Sequence, residues 1–207
     1  MRRDRSLAGI GGIVFAVLFV SGMVSANPPG GDYHAGDIAD FVAKGHRVNV
    51  VASLFLITIS VVGLLMVTEY LCETSYGQGR HGRIAWGASL LAAASFLIGL
   101  TVVVTPSMSV ALGGGPSIDP AVNYTIMQAG IGIMFVSGGV MLGVSFLTLA
   151  IGGHAAPRWV RAFSGIVGLL AFFSMAFFPF FAVLLWGLVI GIWLLVSSPK
   201  QVPLTAT

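Results

Sequence analysis

The chain has 207 residues, 57% of them hydrophobic and only 8% charged, with ten Lys and Arg against seven Asp and Glu. About a quarter of a soluble globular protein is charged, so this composition excludes a water-solvated fold and requires lipid as solvent. The net charge of +3 does not mark a nucleic-acid binder, because the basic residues stand in ones and twos beside apolar runs.

A membrane crossing needs about 20 mostly apolar residues. On that basis the first span is 7–25, preceded by Arg2, Arg3 and Arg5. The opening MRRDR and the VSA at 24–26 resemble the ends of a signal peptide. The apolar run is longer than the usual 7–15 residues of such a peptide, so a retained span is expected, with cleavage as the alternative.

Residues 31–50, GDYHAGDIADFVAKGHRVNV, hold five of the seventeen charges and two of the four histidines. The preceding NPPGG punctuates the chain as a loop. Ile38, Phe41 and Val42 then recur at helical spacing, which predicts one apolar helix face. Asp37 is placed to cap that helix, and Asp40 and Lys44 are spaced for a favourable pair. Lys44, His46 and Arg47 stand at its far end, where positive charge suits the dipole. The segment reads as a short outer amphipathic helix leading into the second span. Two chemical alternatives use the same residues. His34 and His46, with Asp32, Asp37 and Asp40 nearby, could offer an N/O metal site, although a spacing of twelve matches no familiar ligand motif. Asp37, Asp40 and His46 could instead serve as acid–base groups on a lipid-linked substrate. Since each charge has a local structural reason, neither metal nor cofactor is expected.

The second span is 48–71. Its sole charged residue, Glu69, lies within a turn of the span's end and is read as reaching the interface beside Arg80 or Arg83. The lone cysteine, Cys72, excludes an intramolecular disulfide. The third span is 84–105, followed by a loop in ALGGGPSIDP, and the fourth is 123–151. Asn123 and Gln128 on the fourth span, with Asn49, Ser53 and Thr58 on the second, lie mostly in the outer half. They could line a polar vestibule or make interhelical hydrogen bonds.

The last apolar stretch contains no polar turn. As one helix, 162–197 would be about 54 Å long against a hydrocarbon core of about 30 Å. A hairpin of spans 162–178 and 180–197, reversing near Pro179, is therefore expected; one long tilted helix is the alternative. Phe177, Phe178, Phe180 and Phe181 would form its tip, lining a lipid or quinone pocket or simply packing.

These spans place Arg2, Arg3, Arg5, Arg80, Arg83, Arg158, Arg161 and Lys200 on one side, against Lys44 and Arg47 on the other. Such a bias predicts both termini in the cytoplasm. His81 and His154 fall in loops on that side, so no histidine pair is available for haem inside the membrane. Small residues at four-residue spacing (Ala8, Gly12 and Ala16; Ala88 and Ala92; Gly139 and Gly143; Gly187 and Gly191) predict close helix approach, within the bundle or between chains.

The runs RSLAGIGGIVFAVLFVSG, AGDIADFVAKGHRVNVVASLFLI and FFPFFAVLLWGLVIGIWLL resemble a family of uncharacterised bacterial integral-membrane proteins, a domain of unknown function common in high-GC Gram-positive bacteria. The resemblance extends over nearly the whole chain and implies six helices in the plasma membrane. It implies no activity, cofactor or functional residue.

The expected fold is all-α, a single polytopic membrane bundle of six transmembrane helices spanning 1–207, with the short outer helix between spans one and two. The expected function is a non-catalytic, partner-binding or accessory subunit of the bacterial inner membrane. Its partners would be membrane lipids and a protein partner or second copy, not nucleic acid. A carrier or flippase for an apolar or amphipathic molecule, using Asn49 and Gln128, is the alternative. An enzyme working on a lipid-linked substrate at the outer surface comes third.

Overall fold

A computed structural model describes residues 2–29, 32–43, 46–76, 79–113, 119–176 and 178–197. Long apolar runs have only one way to satisfy every backbone group without water, and each forms a helix. The helices are α1 (Arg2–Ala26), α2 (Ala35–Val42), α3 (Arg47–Tyr76), α4 (Arg80–Gly113), α5 (Pro120–Gly132), α6 (Gly138–Gly152), α7 (Arg158–Ala171) and α8 (Phe180–Val196). A π-helical segment, Ile133–Ser137, joins α5 to α6 without a break, so Pro120–Gly152 is one rod. Four helices are long and apolar enough to cross a membrane: α1, α3, α4 and the α5–α6 rod.

Neighbouring helices run up and down and close a ring in the order α1, α3, α4, α6, α7, α8 and back to α1. At one end Arg5 meets Leu194 and Trp159 meets Trp193; at the other His46 meets Ala26 and Tyr33 meets Tyr124. The axis is packed with aromatic side chains. Phe180 touches Phe19, Phe96 and Phe135 at ring distances of 5.0, 5.6 and 5.0 Å, and Phe146 stacks on Trp186 at 4.1 Å. The outward faces are apolar too: Phe55, Val62, Leu91, Ile98, Ile166 and Leu169 are all more than half exposed. A bundle apolar on both faces is what lipid solvation demands.

Several boundaries differ from the sequence expectation. Helix α4 does not stop at Thr105 but runs through a buried Pro106 to Gly113, so part of the expected loop is helical. The fifth element is shorter than 162–178, because α7 ends at Ala171 and a turn with one 3₁₀ segment, Ser174–Ala176, reverses the chain before Phe180. The reversal near Pro179 itself is as expected, and α7 and α8 lie antiparallel. Helix α2 buries Ile38, Phe41 and Val42 as the spacing requires. It begins earlier than foreseen, with His34 as N-cap, so Asp37 sits in the first turn and acts on the dipole rather than as a cap. It ends at Val42, which leaves Arg47 as the first residue of α3 rather than a charge at the end of α2. Lys44, Phe177 and Lys200 lie outside the described residues.

The small-residue pairs are used inside the bundle. A Cβ on Gly12 would lie 2.5 Å from the carbonyl oxygen of Gly187, so α1 and α8 touch backbone to backbone. Gly99 and Gly130 bring α4 and α5 together in the same way. Gly143 faces Gly168, joining α6 to α7.

Candidate functional site

One concentration of polar groups facing open space lies where α1 begins and α3 and α8 end. A cavity of about 320 Å³ opens there between Arg5, Tyr70, Thr74, Ser75, Pro157 and Trp193. Arg5 is held by two contacts. Its Nε donates to the Leu194 carbonyl at 2.9 Å, one of the last carbonyls of α8, which have no partner in their own helix. Its guanidinium also lies 5.6 Å from the centre of the Trp193 ring, a cation–π distance. Trp193 is steadied in turn by the edge of Trp159, 5.6 Å away at 89°.

With Nε engaged, the two terminal nitrogens of Arg5 have no protein partner among the described residues. Helix α3 contributes the opposite wall. Ser75 is 7% exposed, yet its hydroxyl has no hydrogen-bond partner among the described residues, and the Tyr70 phenol has none there either. The Thr74 hydroxyl is already committed, donating to the Tyr70 carbonyl at 2.7 Å. The Ala155 amide donates to the Ser75 carbonyl at 3.5 Å, which ties the α6–α7 loop to the wall. Among the described residues no carboxylate lines the cavity.

A second hollow of about 170 Å³ lies beside it between Glu69, Cys72, Glu73, Arg83 and Trp86. The exposed Glu69 thus shares a groove with Arg83, at the helix end where the sequence locates it. Deeper in, the hydroxyls of Ser89 and Ser145 meet at 2.8 Å and the Trp186 indole donates to Ser164 at 2.9 Å.

The residues singled out from the sequence are dispersed. Asn49 is exposed, Gln128 is half-buried, and neither side chain makes a hydrogen bond among the described residues. Ser53 and Thr58 donate to their own helix, at Val50 and Leu54, both at 2.7 Å. Asp37, Asp40 and His34 are exposed on or beside α2. His46 points the other way. Its Nε2 lies 2.8 Å from the Ala26 carbonyl, which can only accept, so that nitrogen carries the proton. Arg47 has a buried Nε with no partner among the described residues. Of the phenylalanine tip, Phe180 is the hub of the axis, while Phe178 is 80% and Phe181 49% exposed.

Arg5, Tyr70, Ser75 and Trp193 are not distinguished by sequence reasoning. Arg5 counts there as a topology charge, and only the tryptophans at both ends of the last hairpin hint at an interface. No family model, no curated protein and no solved structure matches the chain.

Proposed function

We propose that the chain is a plasma-membrane protein of six crossings with cytoplasmic termini, acting without catalysis as a subunit that holds a partner helix. Four long apolar helices and the shorter apolar α8 support the crossings, with α7 and the turn after it as the remaining one. The distribution of Lys and Arg supports the orientation, which leaves α2 on the outer surface.

The observation that carries the partner-helix reading is the outward face of α4. Ile84, Gly87, Leu91, Ala94, Ile98, Thr101 and Thr105 recur along it at alternating steps of three and four residues. Leu91 and Ile98 are 59% and 56% exposed, while a Cβ on Gly87 would meet nothing within 4 Å. Large and small residues alternating in this register form the knobs and holes of a shallow helix–helix crossing. The glycine pairs Gly12–Gly187, Gly99–Gly130 and Gly143–Gly168 are consumed inside the bundle, whereas Gly87, like Gly132 on the α5–α6 rod, is open. Full-length protein extracted in mild detergent should comigrate with a specific membrane partner or a second copy. A strict monomer with no partner would sink the proposal.

A second reading, a carrier or flippase for an apolar or amphipathic molecule, draws support from the π-helical segment. Such segments interrupt helices at functional sites, and this one places Phe135 against Phe180 on the axis. Unchanged flux in Asn49→Leu and Gln128→Leu variants would remove it.

A further inference from the structure

We infer that the Arg5 cavity holds the phosphate of an anionic phospholipid from the leaflet facing the termini. The inference rests on the membrane reading above, not on the partner helix. Residues lining the space carry four donors with no acceptor among the described residues: two terminal guanidinium nitrogens of Arg5, the hydroxyl of Ser75 and the phenol of Tyr70. A site that offers donors, one positive charge and no carboxylate selects an anion with several oxygens. A phosphodiester presents two non-bridging oxygens sharing one negative charge, which matches the paired nitrogens of a guanidinium fork.

Two features favour a lipid over a free phosphate ester. The cavity lies at the ends of helices that span the bilayer, with Trp193 and Trp159 beside it, and tryptophans gather at headgroup depth. Its wall is also part apolar, through Leu71 and Leu194, and the same end of α8 exposes Ile192, Leu195 and Val196 to acyl chains. Because Nε and the Trp193 ring hold the guanidinium in place, binding orders little that is not already ordered.

The test is native mass spectrometry of the full chain released from nanodiscs that contain phosphatidylcholine with either phosphatidylglycerol or uncharged dioleoylglycerol. Wild type should retain one phosphatidylglycerol and no dioleoylglycerol. Arg5→Gln should lower that occupancy by roughly tenfold, the effect of losing a charge-assisted hydrogen bond, with Arg5→Lys intermediate. Arg5 also caps α8, so a second variant keeps the test decisive. Ser75→Asp leaves the cap in place, supplies a carboxylate to the fork and should expel the lipid at an unchanged unfolding midpoint. Equal retention in wild type and Ser75→Asp overturns the site, as does displacement of the lipid by glycerol 3-phosphate at comparable concentration. Incorporation into the discs is scored separately: a protein that incorporates but shows no selective retention defeats the site alone, whereas failure to incorporate defeats both readings.

Discussion

Trp186 is completely buried, and its indole N–H needs an acceptor that an apolar interior rarely offers. Ser164 supplies it at 2.9 Å, although a serine in α7 could equally have bonded to its own backbone, as Ser53 and Thr58 do in α3. Ser164→Ala should therefore destabilise the fold by about 1–3 kcal/mol, read as a lower unfolding midpoint in mild detergent. Adding Trp186→Phe to that variant should cost less than the two changes do separately, because the orphaned donor disappears with the indole. Glycines make the same point about context. Gly12→Ala drives a methyl into the Gly187 carbonyl and should cost about 1–3 kcal/mol, whereas Gly87→Ala meets open space and should be neutral or gain up to about 1 kcal/mol. The sequence separates them only by spacing, since Gly12 has Ala8 and Ala16 four residues away and Gly87 has Arg83 and Leu91. The partner backbone that distinguishes them lies far away along the chain.

At the scale of whole helices, legibility followed periodicity. The apolar stripe of α2 was plain from Ile38, Phe41 and Val42, because a small polar-faced helix must alternate to bury anything. The ends of α4 and α7 were not, since an apolar span gives no contrast where helix becomes turn. The expected span ended at Thr105, yet α4 continues through Pro106. The outward face of α4 yields its own prediction. Ala94→Phe fills the proposed hole and should abolish comigration with a partner while leaving the unfolding midpoint unchanged, because Ala94 is exposed rather than part of the core. A shift in the midpoint without loss of the complex would show that this face serves the bundle instead.

Taken as a molecule, the ring places seven of the ten basic residues, Arg2, Arg3, Arg5, Arg80, Arg83, Arg158 and Arg161, at the same end as the start of α1. Single-cysteine variants in a Cys72→Ala background give a direct reading of orientation. A membrane-impermeant maleimide should label Asp37→Cys on intact cells and reach His154→Cys only after permeabilisation, both positions being exposed. The reverse pattern would invert the protein and move the Arg5 cavity to the outer leaflet. The helical class and the two-ended charge distribution were readable from composition and hydropathy. The cavity was not, because its walls come from residues near 5, 75, 157 and 194, and only closure of the ring makes them neighbours.

That closure has a temporal side. The seam between α1 and α8 joins the first and last of the described helices, so the nascent chain carries the exposed backbone groove of Gly9 and Gly12 until α8 is made. Until residues 180–196 emerge, the aromatic axis also lacks Phe180, its central ring. The α1–α8 seam therefore closes only once α8 is made, and a chain truncated before residue 180 should be cut faster by a protease than the full chain.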